Sequence, residues 1–419
     1  MTVTLSAGPR RGITKAPPSK SYAHRLLIAA ALSDRECIVE NIGMSDDIEA
    51  TIACLEGLGA RIRRLKDGSA SVTPVDKRSG SSGSGNTLLR CRESGSTLRF
   101  LIPVAGALGR EVTFKMEGRL PVRPLGDYVR ALEKGGMKIE KEGDFLKCSG
   151  KLRSGVFEIP GNVSSQFISG LLFALPIAGG GNVKITGAAE SKGYADMTAD
   201  VLALFSADIE KNGDGYKASG GAYRTPESGR VVTEGDWSGA AFLLAAGAFS
   251  DEGVTVKGLR NDSLQGDRKV ADILRAFGAT VDVTRDSVTV KKGDLRGTVI
   301  NAREIPDLVP VLAVVASAAG GETVIKNAAR LRFKETDRLK TTAALINSLG
   351  GRAQETEDGL IIKGTGLKGG TCESFSDHRI AMSAAVAACF AKETVIIKDA
   401  ECVKKSFPDF FEVFGALKK

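Results

Sequence analysis

Histidine is almost missing from this 419-residue chain, which has two. That scarcity argues against a histidine-based metal site, and no other feature calls for a metal or a cofactor. Aromatic residues make up 5% of the chain, with a single Trp. The dispersed Lys and Arg therefore lack the interleaved stacking groups of a nucleic-acid surface, and no nucleic-acid partner is expected. Long apolar runs are missing too. The longest, such as 240–249 and 308–319, are too short to cross a bilayer, and no charged-then-apolar leader opens the chain. No membrane partner is expected, and the chain reads as soluble and cytoplasmic. The seven Cys show no paired metal or disulfide spacing, and five lie in apolar or strand-like sequence. Reduced, mostly structural thiols follow.

What is present points elsewhere. The chain is 42% hydrophobic, enough for a large core, and its length exceeds the usual single domain, so two domains are expected. Gly is abundant, at 50 residues, as turns and close helix packings require. A net charge of +8 implies an anionic partner, and small phosphorylated or carboxylated substrates suit dispersed cations best.

One unit recurs six times at a spacing of roughly 70 residues. In each, a strand leads to an apolar helix predicted to open at Ser21, Ser96, Ser164, Asp236, Asp307 or Asp377. A second strand follows ("CIVENI", "EVTFKM", "NVKITG", "GVTVKG", "TVIKNA", "TVIIKD"). A second helix then begins near Asp47, Asp127, Asp196, Asp267, Asp337 or Asp409. Ser and Asp satisfy the unpaired N–H groups of a first helical turn, where partial positive charge also collects. Six such openings can focus that charge on an anion.

Five units close with an alternating, Gly- or Asp-punctuated hairpin, such as "GATVDVTRDSVTVKKG". The sixth has none before Lys419, leaving a sheet edge to cover. The strand-like "TVTL" at residues 2–5 is otherwise unassigned, so the amino terminus is expected to return and complete the last unit. The predicted domains are then 19–227, with three units, and 1–18 joined to 228–419, with the other three. Six unrelated α/β segments in a doubly wound sheet are the alternative. The stretch 78–85, "RSGSSGSG", is expected to be a flexible surface loop.

Chemistry collects at the unit openings. "PPSKSYAHR" sets Lys20 and Ser21 at a helix start with Arg25 one turn in, while "ESGSTLR" and "GNVSSQF" supply Gly and Ser for close backbone approach. A lone Ser there would more often be a simple cap. The set taken together points to anion binding.

These segments resemble the enolpyruvyl transferases, in the branch that uses shikimate 3-phosphate. The matches run in order through "KAPPSKSYAHR", "ESGSTLRFL", "RPLG", "GNVSSQFISGLL", "SKGY", "EGDWS", "IPD", "KETDRL", "DHRIAM" and "KKSFPDFF", across nearly the whole chain. The resemblance implies a two-lobed α/β fold of six βαβαββ units, three per lobe, with the active site in the interdomain cleft. It implies transfer of the enolpyruvyl group of phosphoenolpyruvate to the 5-hydroxyl of shikimate 3-phosphate, releasing phosphate, with no cofactor. Such a reaction needs a base, an acid and several cations.

By this resemblance Asp307, Glu335 and Lys20 are the catalytic candidates, Asp307 as base at the hydroxyl and Glu335 as proton donor or shuttle to the methylene carbon. Asp307 also reads as a helix cap, and Glu335 as an ion-pair partner of Arg338 three residues on. Shikimate 3-phosphate is assigned Lys20, Ser21, Arg25, Ser164, Ser165, Gln166, Ser191, Asp307 and Lys334. Phosphoenolpyruvate is assigned Lys20, Gly95, Arg123, Gln166, Arg338, Arg379 and Lys405. His378 stays outside the core set, and Tyr194 is read as packing on the ligand ring or as structural. Glyphosate is an expected competitor because Gly95 is retained, and a monomer that closes on its substrates is expected.

Glu93, Phe100, Gly193 and Arg330 depart from the family pattern, which bears on affinity and inhibitor response. A branch using UDP-N-acetylglucosamine is the first alternative, but "EGRLPVR" lacks the loop Cys expected before Arg123. A noncatalytic anion-binding relative is the second; loss of Asp307 or Glu335 would mark it, and both are present.

Overall fold

A computed structural model describes residues 1–76, 86–187 and 192–418. The predicted loop at 78–85 and the candidate Ser191 lie outside them. The chain forms two compact units, Lys20–Thr233, and Met1–Ser19 with Glu234–Lys419. The second division falls six residues beyond the expected 227/228. Arg230–Val232 pairs in parallel with Cys37–Glu40 and so stays with the unit that begins at Lys20.

Each repeat folds as one small sheet with two helices, and the described residues form six such sheets. The five predicted hairpins are all antiparallel pairs; Thr280–Val283 with Ser287–Lys291 is typical. Alternating burial along strands such as Ser287–Lys291 follows from the period of two, which turns one face inward. The central strand of each repeat is followed by a left-handed residue: Asn41, Gly118, Gly187, Gly258, Asn327 or Asp399. Asn and Asp are the side chains that best tolerate that conformation.

The sixth sheet is completed by the amino terminus. Val3–Leu5 pairs antiparallel with Val395–Lys398, whose other neighbour is Gly370–Glu373. The sequence did not show a second long-range pairing. Gly12–Lys15 runs directly toward the helix Lys20–Ala31, yet it pairs in parallel with Val254–Lys257. Arg230–Val232 leads toward the helix Trp237–Gly247, yet belongs with Cys37–Glu40. The leading strands of the first and fourth repeats are therefore exchanged, and each unit closes a sheet with a strand from a distant stretch of chain.

The first helix of each repeat is largely buried, and the helix Trp237–Gly247 is apolar and buried along its whole length. It packs with Val309–Ala318 and His378–Ala387 in the core of its unit. In the other unit the helices Gly95–Ala107 and Ser165–Ala174 pack so closely that a Cβ on Gly170 would lie 2.4 Å from the Arg99 carbonyl oxygen. Each buried Leu, Ile or Phe in these helices contributes about 1.5–3 kcal/mol relative to exposure.

The predicted caps hold at three of six openings. Ser164, Asp236 and Asp377 accept from Gln166 N, Gly239 N and Arg379 N. At the second opening Ser94, not Ser96, caps, accepting from Thr97 N. The first helix begins at Lys20, one residue before Ser21. Asp307 does not cap: it lies in a short 3₁₀ turn, Pro306–Leu308, and the helix Val309–Ala318 starts after it without a side-chain cap. Pro306 starts that turn, and nearby cations take the carboxylate instead.

Candidate functional site

In the unit Lys20–Thr233, three helix beginnings carry the predicted residues. Lys20 starts the first helix and its ammonium lies 2.6 Å from Asp47 Oδ2, at the start of the helix Asp46–Gly57. Arg25, one turn along, is 2% exposed. Its guanidinium donates to Thr198 Oγ1 at 2.8 Å, the Ser21 carbonyl at 2.8 Å, the Tyr194 carbonyl at 3.0 Å and Ser169 Oγ at 3.3 Å. Its carbon lies 5.1 Å from the centre of the Phe100 ring and 5.9 Å from that of Tyr194. Every one of these partners is neutral, so among the described residues this buried cation has no carboxylate against it. Burial pulls its pKa down to about 10. A buried, uncompensated guanidinium is an anion receptor in waiting.

Gly95 opens the next helix against two guanidinium groups. A Cβ there would meet Arg99 Nη1 at 2.9 Å and Arg123 Nη1 at 3.1 Å. Arg99 donates to Gln166 Oε1 at 2.6 Å, and Gln166 in turn donates to Ser96 Oγ at 2.9 Å. Gln166 is thereby fixed between two repeats, next to Ser164 and Ser165 at the third helix start. Glu93 accepts from Arg119 N at 3.1 Å, bracing the turn that leads to Arg123. This gives the departure at Glu93 a role in loop support. Phe100 lies beneath Arg25, and Tyr194 lies against Arg25 through both ring and carbonyl.

In the other unit, the cluster is built around Arg338, which is 1% exposed. Its guanidinium donates to Asp377 Oδ2 at 2.8 Å, Asp307 Oδ1 at 2.7 Å and Glu335 Oε2 at 2.8 Å. Lys334 Nζ lies 3.5 Å and Arg379 Nη2 3.7 Å from the Asp307 carboxylate. Asp377 caps its helix through Arg379 N at 2.9 Å and so sets both arginines. Lys405 is buried at the end of a 3₁₀ segment, Ala400–Lys405, that packs on the same helix. His378 is buried beside Asp377. Arg330 Nη2 is taken by the Arg303 carbonyl.

The electrostatics follow from this packing. Burial pushes the Asp307 carboxyl up, but Lys334, Arg379 and Arg338 outweigh it and hold the group well below the usual carboxylate range. Burial pulls Lys334 down to about 8, with Asp307 opposing. Burial alone would lower Arg338, yet Asp377, Glu335 and Asp307 raise it above the ordinary value. Asp267, fully buried, is raised to about 7 by burial and then by Asp307. Ser238 donates to one of its oxygens and gives its carbonyl to Arg379 Nη1 at 3.0 Å.

Comparison with known proteins decides the family. The EPSP synthase (3-phosphoshikimate 1-carboxyvinyltransferase) family matches residues 7–414. A 3-phosphoshikimate 1-carboxyvinyltransferase of Clostridium acetobutylicum is 43% identical over 413 residues, 96% of this chain and 94% of that one. One from Clostridium novyi (strain NT) is 44% identical over 409 residues, covering 95% and 93%. The solved EPSP synthase of Acinetobacter baumannii superposes with a TM-score of 0.81 at 25% identity, over 99% of this chain and 98% of that one. The chain belongs to the EPSP synthase family.

As a member of that family it is a transferase of the shikimate pathway. It moves the enolpyruvyl group of phosphoenolpyruvate onto shikimate 3-phosphate and releases phosphate. The relatives do not favour the UDP-N-acetylglucosamine branch. Among the described residues no group of His, Cys, Asp and Glu could hold a metal ion, and no helix is long and apolar enough to cross a membrane.

Of the predicted residues, Asp307, Lys334, Glu335, Arg338 and Arg379 form one cluster. Gly95 lies against Arg123, and Gln166 is fixed from the repeat that holds Gly95. Sequence reading passed over Arg99, Asp47 and Asp267 as site groups. Arg99 sits inside "ESGSTLR", four residues after Gly95, where one helical turn brings it back to the glycine. Asp47 and Asp267 carried only the recurrence of Asp at second helices.

Proposed function

We propose that Asp307 is the base and Glu335 the proton donor of the enolpyruvyl transfer. The observation that carries this is Arg338, whose one guanidinium holds Asp307 at 2.7 Å and Glu335 at 2.8 Å. A base and an acid are thus fixed on a common cation, with Lys334 and Arg379 alongside.

In the proposed course, Glu335 protonates the methylene carbon of phosphoenolpyruvate, and C2 becomes electrophilic. The 5-hydroxyl oxygen adds to C2 as Asp307 takes its proton. The tetrahedral adduct then loses a proton from its new methyl group, and the electron pair re-forms the C=C bond as phosphate leaves. In the empty protein Asp307 is a weak base, because three cations stabilise its charge. Anionic substrates share those cations, which raises the basicity of Asp307 when it is needed.

Phosphoenolpyruvate is assigned to Lys20, Gly95, Arg123, Gln166, Arg338, Arg379 and Lys405. Shikimate 3-phosphate is assigned to Lys20, Ser21, Arg25, Ser164, Ser165, Gln166, Ser191, Asp307 and Lys334. Arg25 supports that placement, since its charge has only neutral partners and a carboxylate that displaced one of them would compensate it. Lys20 must release or share Asp47 as substrate arrives. Glyphosate competes for the phosphoenolpyruvate position, where a Cβ on Gly95 would crowd Arg99 and Arg123. The enzyme acts as a cytoplasmic monomer, to be seen as a single 44.0 kDa species on sizing; a stable dimer would contradict this. Phosphate release from phosphoenolpyruvate tests the roles. It should require shikimate 3-phosphate and fall about 10²–10⁴-fold in Asp307→Asn and Glu335→Gln.

A further inference from the structure

Arg332 lies two residues before Lys334 and outside every group assigned above. All three of its guanidinium nitrogens are engaged. Nη1 donates to Asp337 Oδ2 at 2.9 Å and Glu355 Oε2 at 3.0 Å, Nη2 to the Thr356 carbonyl at 2.8 Å, and Nε to the Glu357 carbonyl at 3.3 Å. Three of the four partners form the tip of the hairpin made by Arg352–Glu355 and Leu360–Lys363. The fourth, Asp337, caps the helix Arg338–Ser348 through Lys340 N with its other oxygen.

The same hairpin tip grips the segment at its beginning. Asp358 Oδ2 accepts from Asn327 N at 2.9 Å, and the Asp358 carbonyl accepts from Ala328 N at 2.7 Å. Residues 355–358 therefore hold the segment at Asn327, Ala328 and Arg332, and Arg332 in turn ties down Asp337. Of the four residues between Phe333 and Arg338, three face the Arg338 cluster and one turns away. Lys334 reaches Asp307, Glu335 reaches Arg338, Thr336 Oγ1 donates to Asp377 Oδ2 at 3.1 Å, and Asp337 turns back to Arg332. Small movement of Asp337 would carry Glu335 and the helix start at Arg338 with it.

We infer that Arg332 is a positioning residue for the enolpyruvyl transfer, fixing Lys334 and Glu335 by clamping their loop to the Glu355–Asp358 hairpin tip. Lys in its place keeps the charge but loses the fork that serves two carboxylates and two carbonyls. The inference rests on the roles proposed above for Lys334 and Glu335. It adds that the geometry of those two groups is set from outside the substrate-binding residues.

A double-mutant cycle tests it. Arg332→Ala should lower kcat about tenfold or more while KM for both substrates stays within about threefold. Glu355→Gln should give a smaller loss of the same kind, and it carries the cycle if Arg332→Ala fails to fold. Adding either change to Glu335→Gln should cost clearly less than the same change costs in the wild-type protein, because one of the two groups being positioned is already lost. Wild-type kcat in Arg332→Ala, or losses that multiply in the double variant, would overturn the inference. Wild-type kcat in Glu335→Gln alone would instead overturn the role of Glu335, and the same cycle on Lys334→Ala then decides for or against Arg332.

Discussion

Arg338 satisfies three carboxylates at once, and this fixes the charge state of its neighbours. Lys334 feels the same crowding from the other side, since burial brings its pKa down to about 8. Its unfolded value lies near 10.5. Below pH 8 it is charged in both states, so burying that charge costs stability; the cost is relieved between pH 8 and 10.5, where the folded protein alone has lost the proton. An anionic substrate at Lys334 reverses this shift. Calorimetry of shikimate 3-phosphate binding at pH 9, in buffers of different ionisation enthalpy, should show uptake approaching one proton. Lys334→Arg should remove that uptake, and equal uptake in both proteins would refute the assignment. At Gly95 the expected effect is steric. Gly95→Ala should raise KM for phosphoenolpyruvate and the inhibitory concentration of glyphosate, by about tenfold each, because a methyl group displaces Arg123 or Arg99. Unchanged inhibition would remove glyphosate from this position.

Secondary-structure elements were readable to the extent that their signals are local. Alternating patterns and turn residues marked the hairpins, and the cap at Asp236 followed from an acidic residue before an apolar run. Asp236→Ala should cost about 1 kcal/mol of stability, read as a lower denaturation midpoint with unchanged slope. The cap at Ser94 was placed two residues late because "ESGS" offers two serines around one glycine, and the choice depends on backbone geometry. Asp307 was misread as a cap because Pro306 and the apolar run after it imitate a helix start. What claims its carboxylate is Lys334, Arg338 and Arg379, 27 to 72 positions further along the chain. The exchanged strands Gly12–Lys15 and Arg230–Val232 were not legible, since each pairs with a strand about 200 or more residues away. The return of "TVTL" was found only because one sheet lacked a strand.

Across the whole molecule, six copies of one α/β unit carry unequal residues at their helix starts. Lys20–Thr233 contributes a buried arginine without a carboxylate and two guanidinium groups around Gly95. The other unit contributes carboxylates and cations in near balance around Arg338. Each set is proposed to hold an anionic part of the substrates. Arg25→Ala should therefore need far more shikimate 3-phosphate for half-saturation than the wild-type protein, as read by calorimetry. Unchanged affinity in Arg25→Ala would remove Arg25 from the acceptor site. The roles of Asp307 and Glu335 remain the centre of the account, and phosphate release under saturating substrates tests them most directly. The account predicts rapid release by the wild-type protein with shikimate 3-phosphate, none with UDP-N-acetylglucosamine, and a loss of about 10²-fold or more in both Asp307→Asn and Glu335→Gln. Full turnover by either variant would contradict it.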